Sequence, residues 1–177
     1  MRVIGLLVAC LGLAGCAYVI ELEDHGFTCF EDTLCLEDIA REPEARALYK
    51  EARTFVEARL GPLDDAPVVA FCSTRACFAQ FADPAFRGYN FGGPFSLINA
   101  HGWEPYIVRH EMIHQWQSQT FGPRRMRLVF PQWYTEGMAY SLSDDPRAVL
   151  PHPSVQRYRA QFEAWVAEGN DWRLGPF

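Results

Sequence analysis

The segment His110-Glu111-Met112-Ile113-His114 sets two histidines and a glutamate inside an apolar, helix-like stretch. In a helix, side chains four apart stand one above the other on the same face. Both imidazoles can then bind one metal ion, and zinc takes histidine nitrogen readily. Glu111 sits beside the first of them, where a carboxylate can take a proton from a metal-bound water. Only five histidines occur in the chain, which makes the pairing informative. Read blandly, it is a helix that carries two incidental surface histidines.

A tetrahedral catalytic zinc needs a third protein ligand and keeps its fourth position for water or substrate. Glu136 is the outstanding candidate, in the run Pro131-Gln132-Trp133-Tyr134-Thr135-Glu136-Gly137-Met138-Ala139. Its neighbours are apolar or small, so its carboxylate is costly to bury without a cation or hydrogen-bond donors. Gly137 and Ala139 would let this second helix approach the first closely. Between the two, Phe121-Gly122-Pro123 stops the first helix, and the basic Arg124-Arg125-Met126-Arg127 begins the return connection. The expected layout is helix, loop, helix, with Glu136 near the start of the second.

These residues resemble the gluzincin group of zinc metallopeptidases. There an H-E-x-x-H helix is followed by a second helix with a glutamate ligand, often written W-x-x-E-G-x-A. Trp133, Glu136, Gly137 and Ala139 match downstream, and His110, Glu111 and His114 upstream, over roughly residues 95–145. The resemblance implies a small zincin-like α+β domain holding one Zn2+ through His110, His114 and Glu136. It implies Glu111 as the catalytic base in peptide hydrolysis. One departure concerns a tyrosine often found five residues after the glutamate. Here Tyr140 comes at four and Ser141 at five, so packing is the expected job of Tyr140. The oxyanion donor stays open among His101, Tyr140, His152 and Tyr158.

The N-terminus points to export. Met1-Arg2 is followed by an apolar run from Val3 to Ala14, long enough for a signal peptide and too short for a transmembrane helix. It ends in Leu13-Ala14-Gly15-Cys16, which resembles the lipobox of bacterial lipoproteins and implies a lipidated Cys16. Several acyl chains there would anchor the chain stably to a membrane. Ala17 after it, rather than aspartate, resembles lipoproteins sorted to an outer membrane. An ordinary secretory signal with a stray cysteine is the alternative reading. On this division, residues 1–15 are the signal peptide, 16–35 a tether with a first disulfide loop, and 36–177 the catalytic domain.

About 160 residues remain, enough for one hydrophobic core. Cys29, Cys35, Cys72 and Cys77 form an even set in an exported chain, which favours two disulfides. Cys29–Cys35 and Cys72–Cys77 are preferred because each closes a small loop. A structural zinc on all four thiolates is the weaker alternative, since neither pair has C-x2-C spacing. The net charge of −6 argues against a nucleic-acid partner.

Periodicity gives the remaining elements. Residues 17–35 read as irregular and acidic. From Pro43 to Leu60, apolar residues at Ala45, Leu48, Ala52, Phe55, Val56 and Leu60 predict an amphipathic helix that Gly61-Pro62 ends. Val68 to Phe71 predicts a buried strand. Ser73 or Thr74 is placed to cap a short helix with Cys77, Phe78 and Phe81. Arg87 to Pro94 reads as a glycine-rich, aromatic loop, Phe95 to Ala100 as a short strand, and the stretch after Pro153 as a further amphipathic helix. In zinc peptidases of this class, the strand before the zinc helix is an edge strand that pairs with extended substrate. The resemblance therefore implies main-chain binding of substrate by Ser96 to Asn99, with a plain interior strand as the alternative.

Three function classes follow. The first is a zinc peptidase with a peptide or protein substrate, membrane-anchored on the extracytoplasmic side. The second is a zinc hydrolase of a non-peptide cell-envelope amide, and the third a lipoprotein that binds without turnover. A long cleft beside a free strand edge favours the first, and a closed pocket the second.

Overall fold

Alternation of side chains along five short strands gives the molecule two apolar layers, one on each face of a mixed sheet. The structure is a computed structural model that describes residues 22–177 apart from Asp32, Asp64, Asp65 and Pro94. The segment ending at Cys16 lies outside the described residues. The strands are β1 (Thr28–Phe30), β2 (Leu34–Leu36), β3 (Val68–Phe71), β4 (Gly88–Asn90) and β5 (Phe95–Ile98). Their order is β1-β2-β3-β5-β4, with β2, β3 and β5 parallel and the two outer strands antiparallel. Successive residues point to opposite faces. Leu34, Leu36, Val69, Phe71 and Ile98 enter the larger core, while Cys35, Ala70 and Leu97 join Leu22, Phe27 and Phe78 on the other side.

The helices are α1 (Glu42–Leu60), α2 (Arg75–Ala79), α3 (Pro105–Phe121), α4 (Pro123–Leu128), α5 (Gln132–Leu142) and α6 (Pro153–Ala167). The fold is α+β, as the sequence predicts. Parallel neighbours β2 and β3 need a crossover connection, and α1 supplies it. Pro43 lies in the first turn of α1, and Thr74 caps α2 by accepting from the Cys77 N–H. Gly122, at φ 85°, breaks the chain direction between α3 and α4 in the left-handed region that glycine adopts at little cost.

Helices α1 and α3 cover the larger core. Arg109 on α3 clamps Glu51 on α1 through Nε at 3.1 and 3.2 Å, and its guanidinium lies 4.0 Å from the centre of the Phe55 ring. The fully buried Tyr134 on α5 sits among Phe121, Phe130, Phe162 and Trp165, and its hydroxyl donates to the Trp172 carbonyl. Among the described residues, no helix is long and apolar enough to cross a membrane.

Both expected disulfides are present, Cys29–Cys35 and Cys72–Cys77. The first joins directly opposed residues of β1 and β2. Residues 28–30 and 34–36 are thus part of the sheet, where the sequence suggested an irregular loop. The acidic Glu31 at the turn breaks the apolar alternation and masks the hairpin. A second correction concerns β5. It lies between β3 and β4, so Ser96 to Ile98 have no free edge, and the edge strand is β4.

Gly137 also has a different neighbour from the one expected: it meets α6, not α3. A Cβ there would lie 2.3 Å from the Tyr158 carbonyl oxygen and 2.8 Å from Phe162 Cβ. Since the obstacle includes backbone, α6 has to move to admit a methyl group. Gly137→Ala is expected to lower stability by about 1–3 kcal/mol in urea unfolding, as overpacking does. A midpoint unchanged from the native chain would show that α6 is not held at this distance.

Candidate active site

Most of helix α3 is buried, and five of its polar residues are buried with it: His110, Glu111, Gln115, Gln117 and Ser118. The four-residue spacing aligns His110 and His114, whose rings meet edge to face at 4.8 Å between centroids. Helix α5 returns antiparallel to deliver Glu136 from its second turn. His110 Nε2 and His114 Nε2 are 3.1 Å apart. Glu136 Oε2 lies 3.5 Å from the first and Glu136 Oε1 3.5 Å from the second. The structure therefore brings together all three residues expected to share a metal ion.

Ligands about 2.0–2.2 Å from a shared tetrahedral ion sit roughly 3.3–3.5 Å from one another. The two histidine–glutamate distances have that spacing and the 3.1 Å between the imidazole nitrogens is slightly shorter, and two imidazoles with one carboxylate suit zinc. The tautomer is arranged to match. His114 Nδ1 donates to Gln117 Oε1 at 2.9 Å, and Gln117 Nε2 donates to the Thr135 carbonyl on α5 at 3.0 Å. Gln117 thereby leaves Nε2 as the His114 nitrogen that faces Glu136. Burial pushes the His114 imidazole down, but the Glu136 carboxylate outweighs it and holds the group at about 9. Burial likewise opposes ionisation of Glu136, yet His114 and His110 hold that carboxyl below the usual range.

Glu111 points into the same cleft and is only 5% exposed. No described residue donates a hydrogen bond to its carboxylate. Burial raises its affinity for a proton, with His110 and His114 working the other way. Strand β4 lies directly above it. A Cβ on Gly88 would come 2.5 Å from Glu111 Oε1 and 2.8 Å from Cγ, so only glycine lets the strand pass this close.

The cleft has a volume of about 480 Å³. Tyr140 packs its ring 4.4 Å from the His110 ring, and burial followed by the nearby Glu136 charge pushes its hydroxyl up to about 12. Tyr158 donates to Gln132 Oε1 at 3.0 Å, and His152 caps α6 by accepting from the Ser154 N–H. These three line the cleft, and His101 does not: it is exposed in the turn after β5. Asn99 works through its side chain. Its amide donates to the Pro84 and Phe86 carbonyls at 3.2 and 2.8 Å and pins the segment leading into β4.

Sequence reasoning missed Gln117, Gly88, Arg87 and Arg147. Gln117 had a signal, standing three residues after His114 on the same helix face. The others are brought in by long-range packing. A second close group, Glu37 with Cys72 and Cys77, is already occupied. The cysteines are bonded to each other, and Glu37 accepts from Ser73 N, Thr74 N and Thr74 Oγ1.

Comparison with protein-family models, curated proteins and solved structures found no match.

Gly88→Ala is expected to push the Glu111 carboxylate back by about 1 Å to restore ordinary contact distance. A crystal structure of the variant reads this directly. An unmoved carboxylate under an unmoved strand would remove the argument for the glycine.

Proposed function

We propose that the chain is a zinc-dependent peptidase with Glu111 as its general base. The observation that carries this reading is a buried carboxylate that receives no hydrogen bond from a described residue, held beside a converging His110, His114 and Glu136. Such an arrangement costs stability and is of the kind functional sites retain. The sequence resemblance to gluzincins in the same residues adds to it. Zinc, when bound by these three ligands, would polarise a carbonyl and make water acidic enough to attack near neutral pH.

The chain's own residues supply the rest. Glu111 takes a proton from the attacking water and passes it to the leaving amine, and its burial raises proton affinity towards that double task. Gln117 keeps His114 in the tautomer that presents Nε2. The choice of peptide as substrate is supported by β4. It is the last strand of the sheet, borders the cleft, and offers backbone groups to which an extended chain can add.

Glu111→Gln is expected to retain zinc while turnover of a mixed peptide library falls by about 10²–10⁴ or more. His114→Ala is expected to lose the metal, measured by elemental analysis. Undiminished cleavage by the Glu111→Gln protein would end the mechanism. Full activity of native protein after exhaustive chelation would end the role of metal.

We also propose that Cys16 is the lipidated N-terminus of the mature chain, which would hold the peptidase at an extracytoplasmic membrane surface. The support is the short apolar run ending at Leu13-Ala14-Gly15-Cys16, together with two disulfides, which persist in oxidising compartments. Mass spectrometry of the N-terminal peptide is expected to find an acylated Cys16. An unmodified cysteine, or a mature chain that begins at Met1, would remove the anchor.

A further inference from the structure

Tyr106 stands on the same stripe of α3 as the two histidines, four residues before His110 as His114 is four after it. Two guanidinium groups meet there. Arg87 Nη1 donates to the Tyr106 hydroxyl at 3.4 Å and to the His101 carbonyl at 3.1 Å. The guanidinium carbon of Arg147 lies 5.0 Å from the centre of the Tyr106 ring. Both arginines line the cleft that holds His110, Glu111 and Glu136.

Their pairing differs. Arg147 holds the buried Asp145 through Nε at 2.8 and 3.1 Å and through Nη2, which leaves Nη1 without a hydrogen bond to any described residue. Arg87 pairs with no carboxylate among the described residues, although the chain carries a net charge of −6. An arginine that meets no acid of its own, in the cleft of an acidic protein, is available to one brought in from outside. The charges of the cleft agree. Arg87 and Arg147 cancel Glu111 and Glu136. A divalent cation on His110, His114 and Glu136 would add two positive charges and Asp145 removes one, so the loaded cleft would be positive by one unit.

Four residues of helix advance about 6 Å. An extended peptide advances about 3.3–3.6 Å per residue. A group facing Tyr106 therefore belongs to a residue one or two positions from the bond lying over the His110 and Glu136 donors. We propose that Arg87 and Arg147, gathered by Tyr106, form a subsite for a substrate carboxylate at that distance. The carboxylate is either an acidic side chain or the C-terminus of the substrate itself. This inference rests on the hydrolytic reading above for its scissile bond, but not for the binding of the anion.

The probe is a set of four tetrapeptides of one sequence, with Glu or Gln at the interior positions and a free or amidated C-terminus. Cleavage by native zinc-loaded protein gives kcat/KM ratios. Calorimetry with the zinc-loaded Glu111→Gln protein gives binding ratios without turnover. A carboxylate in one arm of the set is expected to be favoured about tenfold or more, and the arm names its source. Arg87→Gln is expected to bring that ratio towards one, while Arg87→Lys keeps part of it. Because Arg147→Gln alone strands the buried Asp145, it is made together with Asp145→Asn, with the same expected loss. Equal binding or no binding of the four peptides overturns the subsite. So does a preference that survives both Arg87→Gln and the paired change. If native protein cuts none of them while the binding preference persists and Arg87→Gln removes it, hydrolysis fails and the anion subsite stands.

Discussion

The carboxylate of Glu111 is the group around which the structure is organised. It is nearly buried, receives no hydrogen bond from a described residue, and has two imidazoles and a second carboxylate beside it. Holding such a group in place takes rigid walls behind and beside it. Helix α3 is anchored to α1 by the Arg109–Glu51 clamp, capped above by β4 at Gly88, and tied to α5 through Gln117. None of these ties touches the open side of Glu111, which faces the cleft. The folding energy comes from the aromatic and aliphatic layers behind α3, and the polar stripe in front of it draws on that stability.

The parts of this arrangement that depend on local spacing were legible in the sequence. A helix from Pro43, a strand at Val68–Phe71, a cap at Ser73 or Thr74, the alignment of His110 with His114 and both disulfides need only neighbours within a few turns of chain. Glu136 was legible for a different reason: a lone carboxylate in a run of apolar and small residues had to meet something. What could not be read is what the sheet order decides. Nothing in Gly88-Tyr89-Asn90 marks it as a strand, still less as the outermost one, because three residues carry too little alternation to show a period. The placement of β5 inside the sheet follows from the same ordering.

Long-range packing also explains the residues that were overlooked. Gly88 looks like any turn glycine until Glu111 is found under it. Arg87 and Arg147 lie sixty residues apart in sequence and share a cleft only because Tyr106 faces both. Gly137 read correctly as a site of close approach, but the partner was α6, which appears later in the chain than the helix it seemed to serve.

The two outer strands of the sheet are treated differently. At one side, β1 is stapled to β2 by Cys29–Cys35 and ends at once in the Glu31 turn. At the other, β4 is left unstapled beside the cleft. An unpaired strand invites association with other copies as readily as with a guest. Three residues span only about 10 Å, which limits any visitor to a few main-chain hydrogen bonds. So short a landing strip lets a chain settle and leave, and gives two copies of the protein little reason to stay joined.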